Sequence, residues 1–253
     1  MRDLVVILGD QLDPESAVFD DFDPARDQVW MAEVDGEARH VRSHKARIAL
    51  FLATMRHFRD ALHERGIPVH YLAMEAHDYP DLATALDATL AQCRPQRIRW
   101  VRPGEWRVWR SLQAVAEARS IPIEERADRH FLASDEAFCA WARGRKQLRQ
   151  EYWYRHLRQR LGVLMGGDKP VGGQWNFDSA NRKTFDARGP GLLSAPRAFE
   201  PDETTRAVLA LVTERFADHP GSLASFDWPV TPRQAAEALD DFITNRLASF
   251  GDY

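Results

Sequence analysis

Residues 4–8 (Leu-Val-Val-Ile-Leu) form an unbroken apolar run that stops at Gly9. Such a run predicts a strand buried on both faces, as in a parallel sheet. Shorter runs of the same character follow at residues 28–31, 69–72, 98–101 and 121–123. Between them the apolar spacing changes to the helical period. The longest such stretch covers residues 41–64 and places Ile48, Phe51, Leu52, Met55, Phe58 and Leu62 on one face. Gly66 follows where a C′ glycine closes a helix. Residues 80–92 and 106–118 carry weaker helical patterns. Alternation of this kind predicts an α/β fold: a doubly wound, five-stranded parallel sheet, Rossmann-like, over residues 1–130.

Beyond residue 130 the pattern changes. Residues 142–160 hold Arg143, Arg145, Lys146, Arg149, Arg155, Arg158 and Arg160 against Glu151 alone, with Trp141, Tyr152, Trp153 and Tyr154 interleaved. This reads as a basic helix. Residues 165–196 are rich in Gly, Pro and Asn and read as a long linker. Amphipathic helices are expected at 203–216 and 232–250, the second opened by Thr231-Pro232. The organisation expected is therefore an α/β domain at 1–130, a basic helix and linker at 131–202, and an all-helical segment at 203–253.

Composition narrows the classes. The chain has 253 residues, a formal net charge of −4 and 44 % hydrophobic residues, which suits a folded domain with a true core. No apolar stretch is long enough to span a membrane, and no signal peptide opens the chain, so a cytoplasmic protein is expected. The two cysteines, Cys93 and Cys139, are far apart and fit neither a disulfide framework nor an iron–sulfur site.

Candidate chemistry gathers after the strands, where open α/β sheets bind ligands. Gly9-Asp10-Gln11-Leu12 follows the first strand, with Gly9 admitting a close approach and Asp10 able to accept a hydrogen bond. The motif lacks the GxGxxG spacing of dinucleotide enzymes. Glu33-Val34-Asp35-Gly36-Glu37 follows the second strand at the same edge. Its carboxylates suit hydroxyls, ring N–H groups or a metal. His40 and His44 stand four apart and could share a helix face, yet no HExxH pattern accompanies them, and a solvated helix start accounts for them equally. Pro103-Gly104-Glu105 follows the fourth strand. Three loops distant in sequence thus converge on one crevice. The basic segment admits two readings, contact with a nucleic-acid backbone or arginines spent within the fold.

Taken in order, Gly9-Asp10-Gln11-Leu12, Ser43-His44-Lys45, Met55-Arg56-His57-Phe58, Pro103-Gly104-Glu105-Trp106-Arg107, Gly144-Arg145-Lys146 and Gly173-Gln174-Trp175-Asn176-Phe177-Asp178 resemble the iron–sulfur bacterial cryptochromes and photolyases, also called photolyase-related proteins, some of them prokaryotic (6-4) photolyases. The resemblance covers essentially the whole chain. It implies an antenna domain binding 6,7-dimethyl-8-ribityllumazine through Gly9, Asp10, Ala32, Glu33, Val34, Glu37, Ala38, His40 and Pro103. It also implies Asp178 and Arg182 near damaged DNA, and a helical domain holding FAD and a 4Fe–4S cluster. Members are about twice this length, and the FAD and cluster sites belong to the half beyond this chain. The chain alone is therefore expected to lack repair activity, and its C-terminal helices to fold back onto the antenna domain, bury their faces in a partner chain or lose order, with self-association favoured. A stand-alone nucleotide-binding protein and a DNA-interaction module without chromophore are the alternative readings.

Overall fold

The computed structural model describes residues 1–177, 187, 189 and 194–250. Two compact units divide the chain, one of Met1–His130 with Ala198–Glu237, the other of Phe131–Arg197 with Ala238–Tyr253. The first unit holds five strands: β1 (Asp3–Val6), β2 (Gln28–Ala32), β3 (Val69–Leu72), β4 (Arg97–Val101) and β5 (Ile123–Arg126). All pairs are parallel and the order is β3-β2-β1-β4-β5. The chain moves outward from β1 through β2 and β3, then returns to β4 on the other side of β1. The order therefore reverses between β1 and β4, which is where doubly wound sheets open a crevice.

Period-two alternation explains why β1 is apolar throughout. Leu4, Val6 and Leu8 join Trp30, Ile98 and Trp100 on one face. There they pack against α3 (Leu82–Cys93) and α4 (Trp106–Ala118) through Leu86, Leu90 and Leu112. Val5 and Ile7 join Val29 and Met31 on the other face, against Met55, Phe58 and Leu62 of α2 (Lys45–Glu64). Gly66, at φ +72°, closes α2 as expected. Its N–H donates to His63 O and the Ile67 N–H to Leu62 O, the paired bonds of a Schellman motif.

Several boundaries differ from the sequence reading, each for a local reason. The helix expected at 41–64 starts at Lys45, because the His44 Nδ1 caps it by accepting from the Ala46 N–H. A separate six-residue helix, α1 (Asp35–His40), precedes it. His40 and His44 therefore stand on different elements and share no helix face. The last strand runs through Glu124, Glu125 and Arg126, whose charges pair laterally with Arg97, Arg102 and Asp21. Those charges concealed an edge strand, so only its start was expected.

The remaining chain of the first unit includes α7 (Glu203–Arg215), which lies on α2. Val208, Val212 and Phe216 are fully buried there, against Ala46, Ala49 and Ala53 of α2. Its apolar face is thus covered within the chain itself.

In the second unit only the later part of the basic run is helical. α6 (Gln150–Leu161) carries it, while residues 143–149, with Gly144 at φ +75°, separate α6 from α5 (Asp135–Ala142). Phe138, Trp141, Trp153 and His156 form a chain of ring contacts at 5.1–5.8 Å. Two arginines of the run are spent on the unit's own fold. Arg145 Nε donates to Trp141 O at 2.7 Å, and Arg158 is buried with its guanidinium donating to Val163 O and Leu164 O. A short hairpin, β6 (Met165–Gly166) with β7 (Lys169–Pro170), follows. The helix expected at 232–250 is broken into α8 (Pro232–Asn245) and α9 (Leu247–Phe250), where Leu239, Ile243, Leu247 and Phe250 are exposed. Among the described residues no helix is long and apolar enough to cross a membrane.

Candidate functional site

A cavity of about 390 Å³ opens at the carboxyl ends of β1, β2 and β4, within the size range of small-molecule sites, roughly 300–1,000 Å³. Its walls come from several segments. The loop after β1 supplies Leu8, Gly9 and Asp10; the β2 end and α1 supply Ala32, Glu33, Val34, Glu37, Ala38 and His40; the loop after β4 supplies Pro103, Gly104 and Glu105, and the start of α4 Arg107 and Val108; α2 supplies Arg47, Ile48, Phe51, Leu52 and Met55; and Val41, Ser43, Met74 and Leu82 complete the lining. All nine residues assigned to a ligand from the sequence therefore surround one space. Asp178 and Arg182 lie outside the described residues.

The loops are held by named contacts. Gln11 Nε2 donates to Val101 O at 3.1 Å and to Arg102 O at 3.2 Å, tying the loop after β1 to that after β4. Gly9 sits against α2, where a Cβ would lie 2.9 Å from Met55 Sδ. A side chain there would push Met55 or the loop into the cavity.

One rim is ionic. Arg107 forms a two-pronged pair with Glu37, at 3.0 and 2.7 Å, and its Nε also donates to Glu105 Oε1 at 2.8 Å. The hydrogen bond to Glu37, more than any other contact, raises the Arg107 pKa. His40 Nε2 stands 4.0 Å from Glu105 Oε1. Asp10 reaches the same rim, where its own backbone N–H donates to its carboxylate. It is solvent-accessible at the mouth, but the cavity walls take water from one side of it. That desolvation, reinforced by the negative charge of Glu105 and Glu37, raises its pKa above the usual carboxylate range.

Glu33 has a different task from the one its position suggested. Its side chain is fully buried, and Arg56 Nε and Nη2 donate to its two oxygens, each at 2.8 Å. The Tyr71 hydroxyl and the Met74 N–H also donate to it. The carboxylate is saturated by protein donors, so Glu33 braces the cavity floor and offers a ligand only what surrounds that carboxylate. Burial, followed by the Glu33 charge, raises the Tyr71 pKa and keeps the phenol protonated.

Part of the lining is apolar, formed by Phe51, Leu52, Met55, Leu8 and Val34. This α2 wall was missed from the sequence, since Phe51 and Met55 fit a helix's core stripe. No sequence signal marked it; only the fold shows Phe51 36 % exposed at the cavity. Arg47, one turn earlier, also lines the cavity. An acidic, hydrogen-bonding rim with an aromatic-aliphatic lining can hold a flat heteroaromatic ring bearing hydroxyl or N–H donors. Among the described residues no group of three or more metal-ligating side chains converges here or elsewhere.

Comparison with known proteins adds two findings. Residues 5–228 match the model of the family described as deoxyribodipyrimidine photo-lyase-related protein. The (6-4) photolyase of Agrobacterium fabrum is 40 % identical over 252 residues, which are 99 % of this chain and 49 % of that protein. The chain thus spans about half the length of the curated relative it matches.

Proposed function

The chain belongs to the deoxyribodipyrimidine photo-lyase-related protein family, and from that premise we propose that its cavity binds a light-harvesting antenna, 6,7-dimethyl-8-ribityllumazine, for a flavin-dependent DNA photolyase. The observation that carries this reading is the cavity at the switch point, lined both by carboxylates and by the apolar Phe51 and Met55. When bound, the lumazine would supply light absorption and pass the excitation on. This chain's residues would bind and orient it. Asp10 would accept from a ribityl hydroxyl or ring N–H. Glu37, fixed by Arg107, would accept from a second donor, and Leu8, Val34, Phe51 and Met55 would exclude water from the ring.

The test is titration of the chain with the lumazine, followed by fluorescence anisotropy. Hydrogen bonds to charged groups are worth about 1.5–3 kcal/mol each, so Asp10→Ala with Glu37→Ala should weaken binding by about 100-fold or more. Equal affinity of wild type and double variant would remove the site. The acidity of Asp10 gives a second readout. Its pKa is raised, so protonation begins at a higher pH than for an ordinary carboxylate, about 4. Affinity should therefore decline as pH falls through that raised value, and Asp10→Asn should flatten the decline. In the free protein the same raised pKa means that ionised Asp10 detracts from stability as pH rises, so Asp10→Asn should melt no lower than wild type near neutrality.

The rival reading, an adenine nucleotide in the same cavity, would set its phosphates against Asp10, Glu37 and Glu105, with Arg47 and Arg107 as the lining cations. An ATP titration separates the two. FAD, a 4Fe–4S cluster, damaged DNA and the DNA contacts of Asp178 and Arg182 are proposed for the longer protein, as the family resemblance implies.

A second copy of this chain is proposed to cover Leu239, Ile243, Leu247 and Phe250, which lie along one side of α8 and α9 at spacings of three and four residues. Sedimentation should show association that rises with concentration and disappears in Leu239→Glu with Ile243→Glu. Unchanged association would place the contact elsewhere.

A further inference from the structure

The wall of the cavity formed by α1 is weakly founded. The helix is six residues long, has no side-chain N-cap and contains no buried residue. Helices this short do not persist without outside support. Yet α1 supplies Glu37, Ala38 and His40 to the cavity. Near its start the Gly36 N–H donates to Pro80 O at 2.9 Å.

The rest of its support comes from far along the chain. Arg215, the last residue of α7, donates from Nε to Asp35 Oδ1 at 2.8 Å. Arg39 Nη2 returns a hydrogen bond to Arg215 O at 2.7 Å, and its Nη1 reaches both Asp218 oxygens at 3.3 Å. The same guanidinium stands over the Phe216 ring at 4.9 Å. Ala38 packs against the Val208, Val212 and Phe216 cluster. The turn into α2 is held alike: Arg42 donates to Asp218 O, the Lys45 N–H to Pro220 O at 2.9 Å, and His219 Nδ1 lies 3.0 Å from Ser43 O.

We propose that residues 203–220 form a clamp that sets α1 in its ligand-binding position, with Arg215, Arg39 and Asp218 as positioning residues for Glu37 and His40. The segment touches the back of the wall, and none of its residues lines the cavity. The hold of α7 on α2 is independent of α1, because Val208 and Val212 are fully buried against α2. Loss of the Arg215–Asp35 pair therefore loosens α1 without releasing α7. The consequence is that affinity in the antenna cavity depends on chain that lies beyond the α/β sheet, on the way to the rest of the protein. This inference rests on the reading of the cavity as a ligand site.

The experiment uses the full chain as wild type, Arg215→Ala, Arg215→Lys, and the exchange Asp35→Arg with Arg215→Asp. Two quantities are read: the Kd for 6,7-dimethyl-8-ribityllumazine, and amide hydrogen exchange at residues 35–40 with β1 and β4 as internal reference. If α1 keeps its position for only about a tenth of the time, Kd rises about tenfold. Arg215→Ala should raise Kd by about that factor and speed exchange at 35–40, while β1 and β4 stay protected. Arg215→Lys and the exchange variant should recover most of both effects, which a general loss of packing would not allow. Unchanged exchange at 35–40 in Arg215→Ala overturns the clamp, whatever the lumazine does. So does faster exchange with unchanged Kd. Failure of the wild type to bind lumazine, with exchange behaving as expected, would instead overturn the assigned ligand and leave the clamp supported.

Discussion

Arg56→Ala is expected to lower the free energy of unfolding by about 3–5 kcal/mol, the usual result when one partner of a buried ion pair is removed. The Glu33 side chain is 0 % exposed and that of Arg56 8 %. Removing the guanidinium leaves a carboxylate in the protein interior with only the Tyr71 hydroxyl and the Met74 N–H as donors. Glu75, which also pairs with Arg56 at 2.7 Å, is half exposed and can turn to water. The stranded charge is therefore Glu33. Chemical denaturation should show a smaller loss for Glu33→Gln combined with Arg56→Met than for Arg56→Ala, because the double change leaves no unpaired charge. By contrast, Arg155→Ala removes a partly exposed i,i+4 pair with Glu151 and contacts over the Tyr152 and Trp175 rings, and should cost less, about 1–2 kcal/mol. If Arg56→Ala and Arg155→Ala cost the same, the buried pair does not brace the cavity floor. The floor is at stake because Ala32 and Val34, on either side of Glu33, line the cavity.

That pair also marks the limit of what the sequence carried. Gly9, Asp10, Glu37 and Pro103 were legible because topology puts strand ends together: once alternating strands and helices indicate a doubly wound sheet, the loops after β1, β2 and β4 must meet. Chemical type then selects residues within those loops. What pairs across the fold is not visible in a linear pattern. Glu33 read as a free carboxylate until Arg56, twenty-three positions on, was found bound to it. Asp3 likewise sits fully buried between Arg97 and Arg99, a network that joins β1 to β4 and leaves no trace in hydropathy. The apolar pattern located β1 to β4 well, since β1, β2 and β4 are buried and β3 is half-buried. It reached only the start of β5, where Glu124, Glu125 and Arg126 occupy the strand. For α1, six residues are too few to display a period. The basic segment read equally well as a nucleic-acid contact. Arg145 and Arg158 turn instead to carbonyls and rings of their own unit, which is a matter of rotamer and not of composition.

Phe216→Ala is expected to cost about 3–5 kcal/mol, the range for emptying a fully buried aromatic position. The sequence left the apolar face of this helix open to three fates: folding back, pairing with another chain, or losing order. Ala46, Ala49 and Ala53 decide between them. They form a second, small-residue face on α2, opposite the face that packs on the sheet, and α7 can approach closely there. Small residues carry little hydrophobic signal, so this face is easily overlooked in a helix whose stronger stripe includes Phe58 and Leu62. Phe216 is fully buried at the end of the contact, beneath Arg39 of α1. Its loss therefore removes apolar packing and the platform for that guanidinium together. The thermal midpoint should fall, and hydrogen exchange should show α7 and α1 opening ahead of β1 and β4. Phe216→Leu, which keeps most of the volume, should lose much less. Sedimentation separates this account from a role between chains. If Phe216→Ala lowered self-association and left the midpoint unchanged, the α7 face would belong to an interface and not to the core. A lowered midpoint with association unaltered assigns it to the core and confines the exposed apolar surface of the C-terminal helices to α8 and α9.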